Sequence, residues 1–247
     1  MMKKKVRIIG TVLGILIALF IASGVFIYAK IHAETGKMTV LETGEAVKGV
    51  YAIKDTYVNL FLVRGSGGYI AIDAGDNAAH IRQELHKLMI DTAQVKAVFL
   101  THSDRDHIAA LDLFGKAQVY ISKEEEQMVN GRTPRFLSLM KNSLPVKYEM
   151  LDDGQSIEVA GLKIKGVLTP GHTPGAMCYL VNGRFIFTGD SMSLKEGRAG
   201  LFNELFNMDS ESQKKSLHKL KGIPEVQYVF TAHYGATDNP KRAFESW

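Results

Sequence analysis

The sequence predicts an α/β domain preceded by one apolar segment of membrane-spanning length. Three observations point there. From about Gly49 onward, strand-like and helix-like patterns alternate. A strand–turn–strand unit with an acidic ending occurs twice, as FLVRGSGGYIAIDAGD (61–76) and as YLVNGRFIFTGD (179–190). Upstream, the stretch from Ile8 to Tyr28 carries no charge.

At about 1.5 Å per helical residue, that uncharged stretch spans about 30 Å, the thickness of a hydrocarbon core. Lys3, Lys4, Lys5 and Arg7 precede it, and Lys30 follows. This asymmetry predicts a single-pass signal-anchor over residues 1–29 with its N-terminus in the cytoplasm and the remainder extracytoplasmic. A cleaved leader ending near Ala22-Ser23-Gly24 is the rival, but Val25 to Tyr28 continue the apolar run past that point. Residues 30–48 read as a juxtamembrane linker, and 49–247 as the folded domain.

The net charge of +4 is misleading taken whole. The first 30 residues hold five basic side chains and no acid, so the rest is close to neutral at −1. A nucleic-acid-binding body has no support in that balance. The single cysteine, Cys178, excludes an intramolecular disulfide framework and a Cys-rich zinc module. It lies in the apolar run AMCYLV and reads as a small core residue.

Within the domain, VYAIK (50–54), VNLFLV (58–63) and YIAID (69–73) read as strands. Ile81, Leu85, Leu88 and Met89 give Asn77 to Met89 a helical period. KAVFL (96–100) is a short run of the kind buried on both faces. Ile108 to Phe114 reads as a short helix stopped at Gly115. QVYI (118–121) is a further strand. Residues 122–144 read as one or two helices, with Lys123-Glu124-Glu125-Glu126 as a helix start and Pro134 as a first helical residue. Strands return at SIEVA, LKIKGVL, MCYLV and RFIFT, and Asn182-Gly183 signals a hairpin. A helix over 210–220, the strand VQYVFT (226–231) and a last helix near Pro240 complete the order. The doubled unit predicts two sheets with helices outside.

The chemistry is concentrated in THSDRDH, where a strand gives way to a helix. His102 and Asp104 are two apart and face one way in an extended segment. The turn that follows swings Asp106 and His107 toward a neighbouring point. Imidazole and carboxylate are good ligands for divalent metals. Further candidates sit at strand ends elsewhere: His172 in TPGHTPG, Asp190 in FTGDS and His233 in TAHYG. A carboxylate such as Asp190 can bridge two metals. Asp73, at a strand end, is a candidate to orient a ligand histidine.

Taken together, these motifs resemble the metallo-β-lactamase superfamily, whose pattern is HxHxDH, a His in a GHTPG-like loop, an Asp in a TGD-like turn and a late His. The likeness runs from about Gly49 to the C-terminus and includes IDAG (72–75). It implies a four-layer αββα sandwich with a dinuclear site at one edge of the two sheets. It also implies that His102, Asp104 and His172 hold one metal and Asp106, His107 and His233 the other, with Asp190 between them. Two zinc ions are the default cofactor. The departure is Asp104, where most of the family has histidine. Its harder oxygen shifts preference toward iron or manganese. Flavodiiron proteins resemble this chain in having a carboxylate there, but the residues left over here are too few for their flavodoxin domain.

The expected activity is therefore metal-dependent hydrolysis of an ester, lactone, amide or phosphodiester bond in a small-molecule or cell-surface substrate. Asp106 would orient the nucleophile and assist proton transfer. The segment from Ser191 to Asn207 could form a rim, with Phe202 and Phe206 as an apolar wall and Lys195 or Arg198 meeting an anionic group. The alternatives are a di-iron redox enzyme and a non-catalytic binding protein with a degenerate metal site.

Overall fold

The computed structural model describes residues 2–135 and 142–247. The chain divides into two compact units, Met1–Met38 and Thr39–Trp247. The first is the helix α1 (Met2–Thr35), whose stretch Ile9–Thr35 is long and apolar enough to cross a membrane. It runs past the expected boundary at residue 29, because KIHAET contains no helix breaker before Gly36. The folded unit likewise begins at Thr39, ahead of the expected Gly49.

The second unit is built on two sheets. The first contains β1 (Gly44–Val47), β2 (Val50–Asp55), β3 (Val58–Gly65), β4 (Gly68–Ile72), β5 (Val95–Phe99), β6 (Gln118–Ser122) and β7 (Tyr148–Leu151), in that spatial order. Its first four strands are antiparallel neighbours, and from β4 to β7 each pairs in parallel. The helix α2 (Ala78–Lys87) connects β4 to β5, and α3 (Arg105–Ile108) follows β5. Asn77 caps α2 by accepting from the backbone N–H of Ala79 and His80.

After β6 comes α4 (Glu126–Val129). Among the described residues only short helical turns form here, and Pro134 does not begin a helix; the rest of the helical expectation for 122–144 falls on 136–141, outside the described residues. Likewise Ile108–Phe114 is not one helix. It is the end of α3 followed by a 3₁₀ turn at Leu111–Phe114.

The second sheet contains β8 (Ser156–Val159), β9 (Leu162–Leu168), β10 (Met177–Val181) and β11 (Phe185–Phe187). A small hairpin of β12 (Ser193–Lys195) and β13 (Arg198–Gly200) follows, then α5 (Ser210–Lys221). β14 (Tyr228–Phe230) and β15 (Ala236–Thr237) return to the second sheet, and α6 (Pro240–Ala243) ends the order. The sheet runs β15-β14-β11-β10-β9-β8.

The doubled sequence unit has a structural counterpart. β3–β4 and β10–β11 are both antiparallel hairpins, and the second strand of each pairs in parallel with the next strand of its sheet, β5 or β14. Asn182 and Gly183 both have positive φ, 50° and 68°, which matches the right-handed twist of the flanking strands.

Alternation on the strands makes the layers. Phe61, Val63, Ile70, Ile72 and Phe99 of the first sheet pack with Ile164, Met177, Tyr179, Phe187 and Phe230 of the second. On the other face of the first sheet, Leu60, Leu62, Ala71 and Val98 pack with Ile81 and Leu85 of α2 and with Leu111 and Phe114. α5 and α6 contribute buried Leu217, Leu220 and Ala243. The result is an αββα sandwich. Cys178 is fully buried, and burial pushes its thiol up to about 11, which suits an inert core residue.

Candidate metal centre

Four strand ends converge on one cluster. His102, Asp104, Asp106 and His107 follow β5, His172 follows β9, Asp190 follows β11 and His233 follows β14. Backbone bonds lock these loops together: Met177 N donates to Thr101 O, Thr188 N to Phe230 O and Asp73 N to Phe99 O. Three groups form whose ligand atoms lie within 4.8 Å of one another: His102–Asp104–His172, Asp106–His107–His233 and His102–His107–Asp190.

Asp190 stands between the first two. Its Oδ1 is 3.1 Å from His233 Nε2 and 3.5 Å from His107 Nε2; its Oδ2 is 3.3 Å from His172 Nε2 and 3.9 Å from His102 Nε2. Gly189 precedes it at φ +50°, and a Cβ there would lie 2.3 Å from Thr101 Oγ1. The TGD turn thus needs glycine to approach the β5 loop.

The imidazoles are oriented from behind. His107 Nδ1 donates to Asp73 Oδ2 at 2.8 Å. Thr101 Oγ1 donates to the same oxygen at 2.9 Å and lies 3.0 Å from His102 Nδ1. Since the threonine proton is committed to Asp73, His102 Nδ1 donates to the hydroxyl. His233 Nδ1 donates to Tyr57 O at 2.7 Å, and the Tyr57 ring stacks on His233. In all three, the proton sits on Nδ1 and the Nε2 lone pair is aimed into the cluster. The Nε2 atoms of His102 and His107 are buried and have no hydrogen-bond partner among the described residues. Orphaned acceptors of this kind are costly unless a cation meets them. The donor set therefore fits a divalent metal.

The electrostatics show how strongly the acids of the cluster draw positive charge: without an ion they favour a proton on His107 Nε2, where a bound cation would otherwise meet the lone pair. Burial opposes charge on His107, yet Asp73, Asp106 and Asp190 outweigh it and push the imidazole up to about 10. Burial also opposes charge on Asp190, but His233, His107 and His172 hold its carboxyl well below the usual carboxylate range. Asp106 is pushed up by burial first. His102 is pushed well down, by burial and then by His107 and His172.

Asp104 differs from its neighbours. Burial would raise its carboxyl, but contacts with His172 and Arg135 hold it well below the usual range. Arg135 Nε donates to Oδ1 at 3.0 Å and to Oδ2 at 3.1 Å, and Nη2 donates to Oδ2. Asn142 Nδ2 also donates to Oδ1, at 3.1 Å.

Of the rim residues, Phe202 is buried and stands edge-on to His172, with centroids 5.0 Å apart; it is 5.6 Å from His233. Phe206 lies 6.3 Å from Phe202, and its carbonyl accepts from Arg135 Nη1. The Lys195 ammonium sits 5.6 Å over the Tyr234 ring. Arg198 bonds Glu245 at 3.0 Å instead of a cluster residue.

Sequence reasoning does not reach Arg135 or Glu125. Glu125 is not part of a solvated helix start: it is fully buried and accepts from Ser103 N, Ser103 Oγ, Thr173 Oγ1 and Gly175 N. It ties the β5 loop to the His172 loop. A single acid in a run of three carries no signal for that.

Comparison with known proteins agrees with this geometry. The probable polyketide biosynthesis zinc-dependent hydrolase BaeB of Bacillus velezensis is 28% identical over 191 residues, covering 76% of each chain. The corresponding PksB of Bacillus subtilis is 37% identical over 126 residues, covering 50% of this chain and 49% of that one. A metallo-beta-lactamase family protein from Thermus thermophilus shares the fold, with a TM-score of 0.61 at 22% identity over 81% of this chain and 78% of that one. The profile of the Metallo-beta-lactamase superfamily matches residues 53–233, from β2 to the last histidine of the cluster. This chain belongs to that superfamily and is a metal-dependent hydrolase within it.

Proposed function

We propose that the chain is a membrane-anchored hydrolase that cleaves an ester, lactone, amide or phosphodiester bond with water activated at a two-position metal centre. Asp190 carries this reading: one carboxylate oxygen faces each histidine group. A divalent ion supplies a Lewis acid for the substrate oxygen and brings the pKa of a water toward neutrality. Zinc is the ion in the names of both Bacillus relatives, and imidazole suits it. Iron or manganese is the alternative that oxygen donors favour.

The protein's own groups do the rest. His102, His107 and His233 present Nε2 because Thr101, Asp73 and Tyr57 hold Nδ1. His172 and Asp104 line the first position with His102. Asp106, 3.5 Å from His233 Nε2 and 3.7 Å from His107 Nε2, orients the water and takes its proton. Phe202 covers His172 and His233 with apolar surface that excludes competing water. Phe206 extends that wall, and Lys195 and Arg198 lie on the segment that would meet an anionic part of a small-molecule or cell-surface substrate. The apolar stretch of α1 anchors the chain, and its basic flank favours a catalytic unit on the extracytoplasmic side.

Metal analysis of the full chain, purified in detergent without chelator, tests the centre, together with a panel of esters, lactones and phosphodiesters. Asp190→Ala is expected to lose both metal and hydrolysis. A variant that keeps both would refute the assignment. Alkaline carbonate should leave the chain in the membrane fraction, and its release would remove the anchor.

A further inference from the structure

The two metal positions are not equivalent, and the difference lies in Arg135. This side chain is only 4% exposed. Its guanidinium is held at every nitrogen. Nε reaches both oxygens of Asp104, Nη1 donates to His172 O at 3.1 Å and to Phe206 O at 2.8 Å, and Nη2 meets Asp104 Oδ2 and lies 2.8 Å from His172 Nε2.

His172 Nε2 is engaged from two sides. His172 Nε2 also lies 3.1 Å from Asp104 Oδ2, which would require it to donate. Arginine can only donate, so the Nη2 contact asks Nε2 to accept; the atom is engaged in whichever role it takes. In either role, the position from which Nε2 would bind a metal is taken up by Arg135 and Asp104. Both oxygens of Asp104 are spent as well, Oδ1 on Arg135 and Asn142, Oδ2 on Arg135. Among the described residues, His102 Nε2 and His172 Nδ1 are the ring nitrogens of the first group left without a hydrogen-bond partner, and the second is not the nitrogen that meets Asp104 and Asp190.

Among the described residues no comparable cation guards the second group. Among the described residues, Asp106, His107 and His233 form no ion pair with a lysine or arginine. Arg105, next to Asp106 in sequence, is 80% exposed and pairs with Asp76.

This pairing also accounts for the unusual aspartate. A planar guanidinium matches a carboxylate in a forked geometry and has no such match in a neutral imidazole. Asp104 and Arg135 each make chemical sense in the presence of the other.

We propose that Arg135 is an internal cation occupying the first metal position, so that the chain holds one divalent ion tightly at Asp106, His107, Asp190 and His233, and admits a second only by displacing the guanidinium. This rests on the cluster being a metal centre, and the test separates the two claims. The full chain in detergent is stripped with chelator, dialysed and titrated with zinc alone, with bound metal counted per chain. Wild type is expected to take one zinc tightly and a second at least about 10-fold more weakly, the scale on which ligand-supporting groups act. Arg135→Gln and, independently, Asp104→His should each bring the second zinc to an affinity close to the first.

Two equally tight zinc ions in wild type would overturn the proposal while leaving the metal centre intact. Two unequal sites whose affinities do not respond to either variant would also overturn it. No zinc at any position would overturn both claims. If Arg135→Gln does not fold, the wild-type stoichiometry and Asp104→His still decide.

Discussion

Asp73 Oδ2 accepts the His107 Nδ1 proton at 2.8 Å while its backbone sits at φ +60°, a left-handed conformation rare outside glycine and tolerated by aspartate. The turn lets one carboxylate leave the end of β4 and reach under the β5 loop. Its other oxygen accepts from Thr101 N at 2.7 Å. One residue thereby sets the tautomer of His107 directly and that of His102 through the Thr101 hydroxyl.

Asp73→Ala should therefore weaken zinc binding by about 10–100-fold without removing any ligand. Competition against a chromophoric chelator measures this. An unchanged affinity would mean that the ligands orient themselves.

Glu125→Ala should destabilise the folded unit by about 3 kcal/mol or more, because it strands several buried donors at a cost of about 1–3 kcal/mol for each group. The donors are Ser103 N and Oγ, Thr173 Oγ1 and Gly175 N. Glu125→Gln keeps an acceptor and should lose less. Denaturant unfolding of the two variants distinguishes these outcomes, and equal losses would argue against the hydrogen bonds as the cause.

Gly189→Ala should cost about 1–3 kcal/mol from overpacking. The added methyl would meet Thr101 Oγ1 at 2.3 Å and Thr101 Cβ at 2.6 Å, at a φ of +50° that already disfavours alanine. Thermal unfolding reads the stability. Because Asp190 is the next residue, zinc affinity should fall in the same variant. A normal melting temperature with normal zinc binding would show that the turn has slack.

Asp153 offers a pH test away from the cluster. Burial would raise its carboxyl, but Lys219 and the Leu168 N–H outweigh it and lower it. A lowered folded value stabilises above the unfolded pKa, about 3.9, and that stability is lost as pH falls through the folded value. Asp153→Asn should therefore reduce stability at neutral pH slightly and flatten the acid limb of the stability–pH curve. The pair is about half exposed, so the effect is small. Identical acid limbs would show that it does not couple α5 to β9.

The features legible in the sequence share a local cause. The strand end at THSDRDH, the Asn182-Gly183 turn and the alternation in VNLFLV are each written within a few residues. The doubled hairpin was legible because the same short grammar occurs twice. What escaped depends on partners far along the chain. β1, β12, β13 and β15 are two to four residues long and exist through pairing, not through their own pattern. Arg135 reaches Asp104 across 31 positions, and Glu125 reaches Gly175 across 50. No spacing rule links such residues, and an acid at a helical turn or an arginine after a proline reads as surface until the fold encloses it.

The strand ends that carry the cluster belong to different sheets. His102, Asp104, Asp106 and His107 hang from the first sheet, and His172, Asp190 and His233 from the second. An ion in either position is therefore a clasp between the two halves of the sandwich, closed only after both have docked. It would bind the native state and not a half-folded one, adding about 2.7 kcal/mol of apparent stability at a hundred times its dissociation constant. In a metal-poor setting the two halves would be held by the apolar core between the sheets, the Glu125 bonds and the loop bonds, so metal supply would govern how long the protein persists as well as how fast it works.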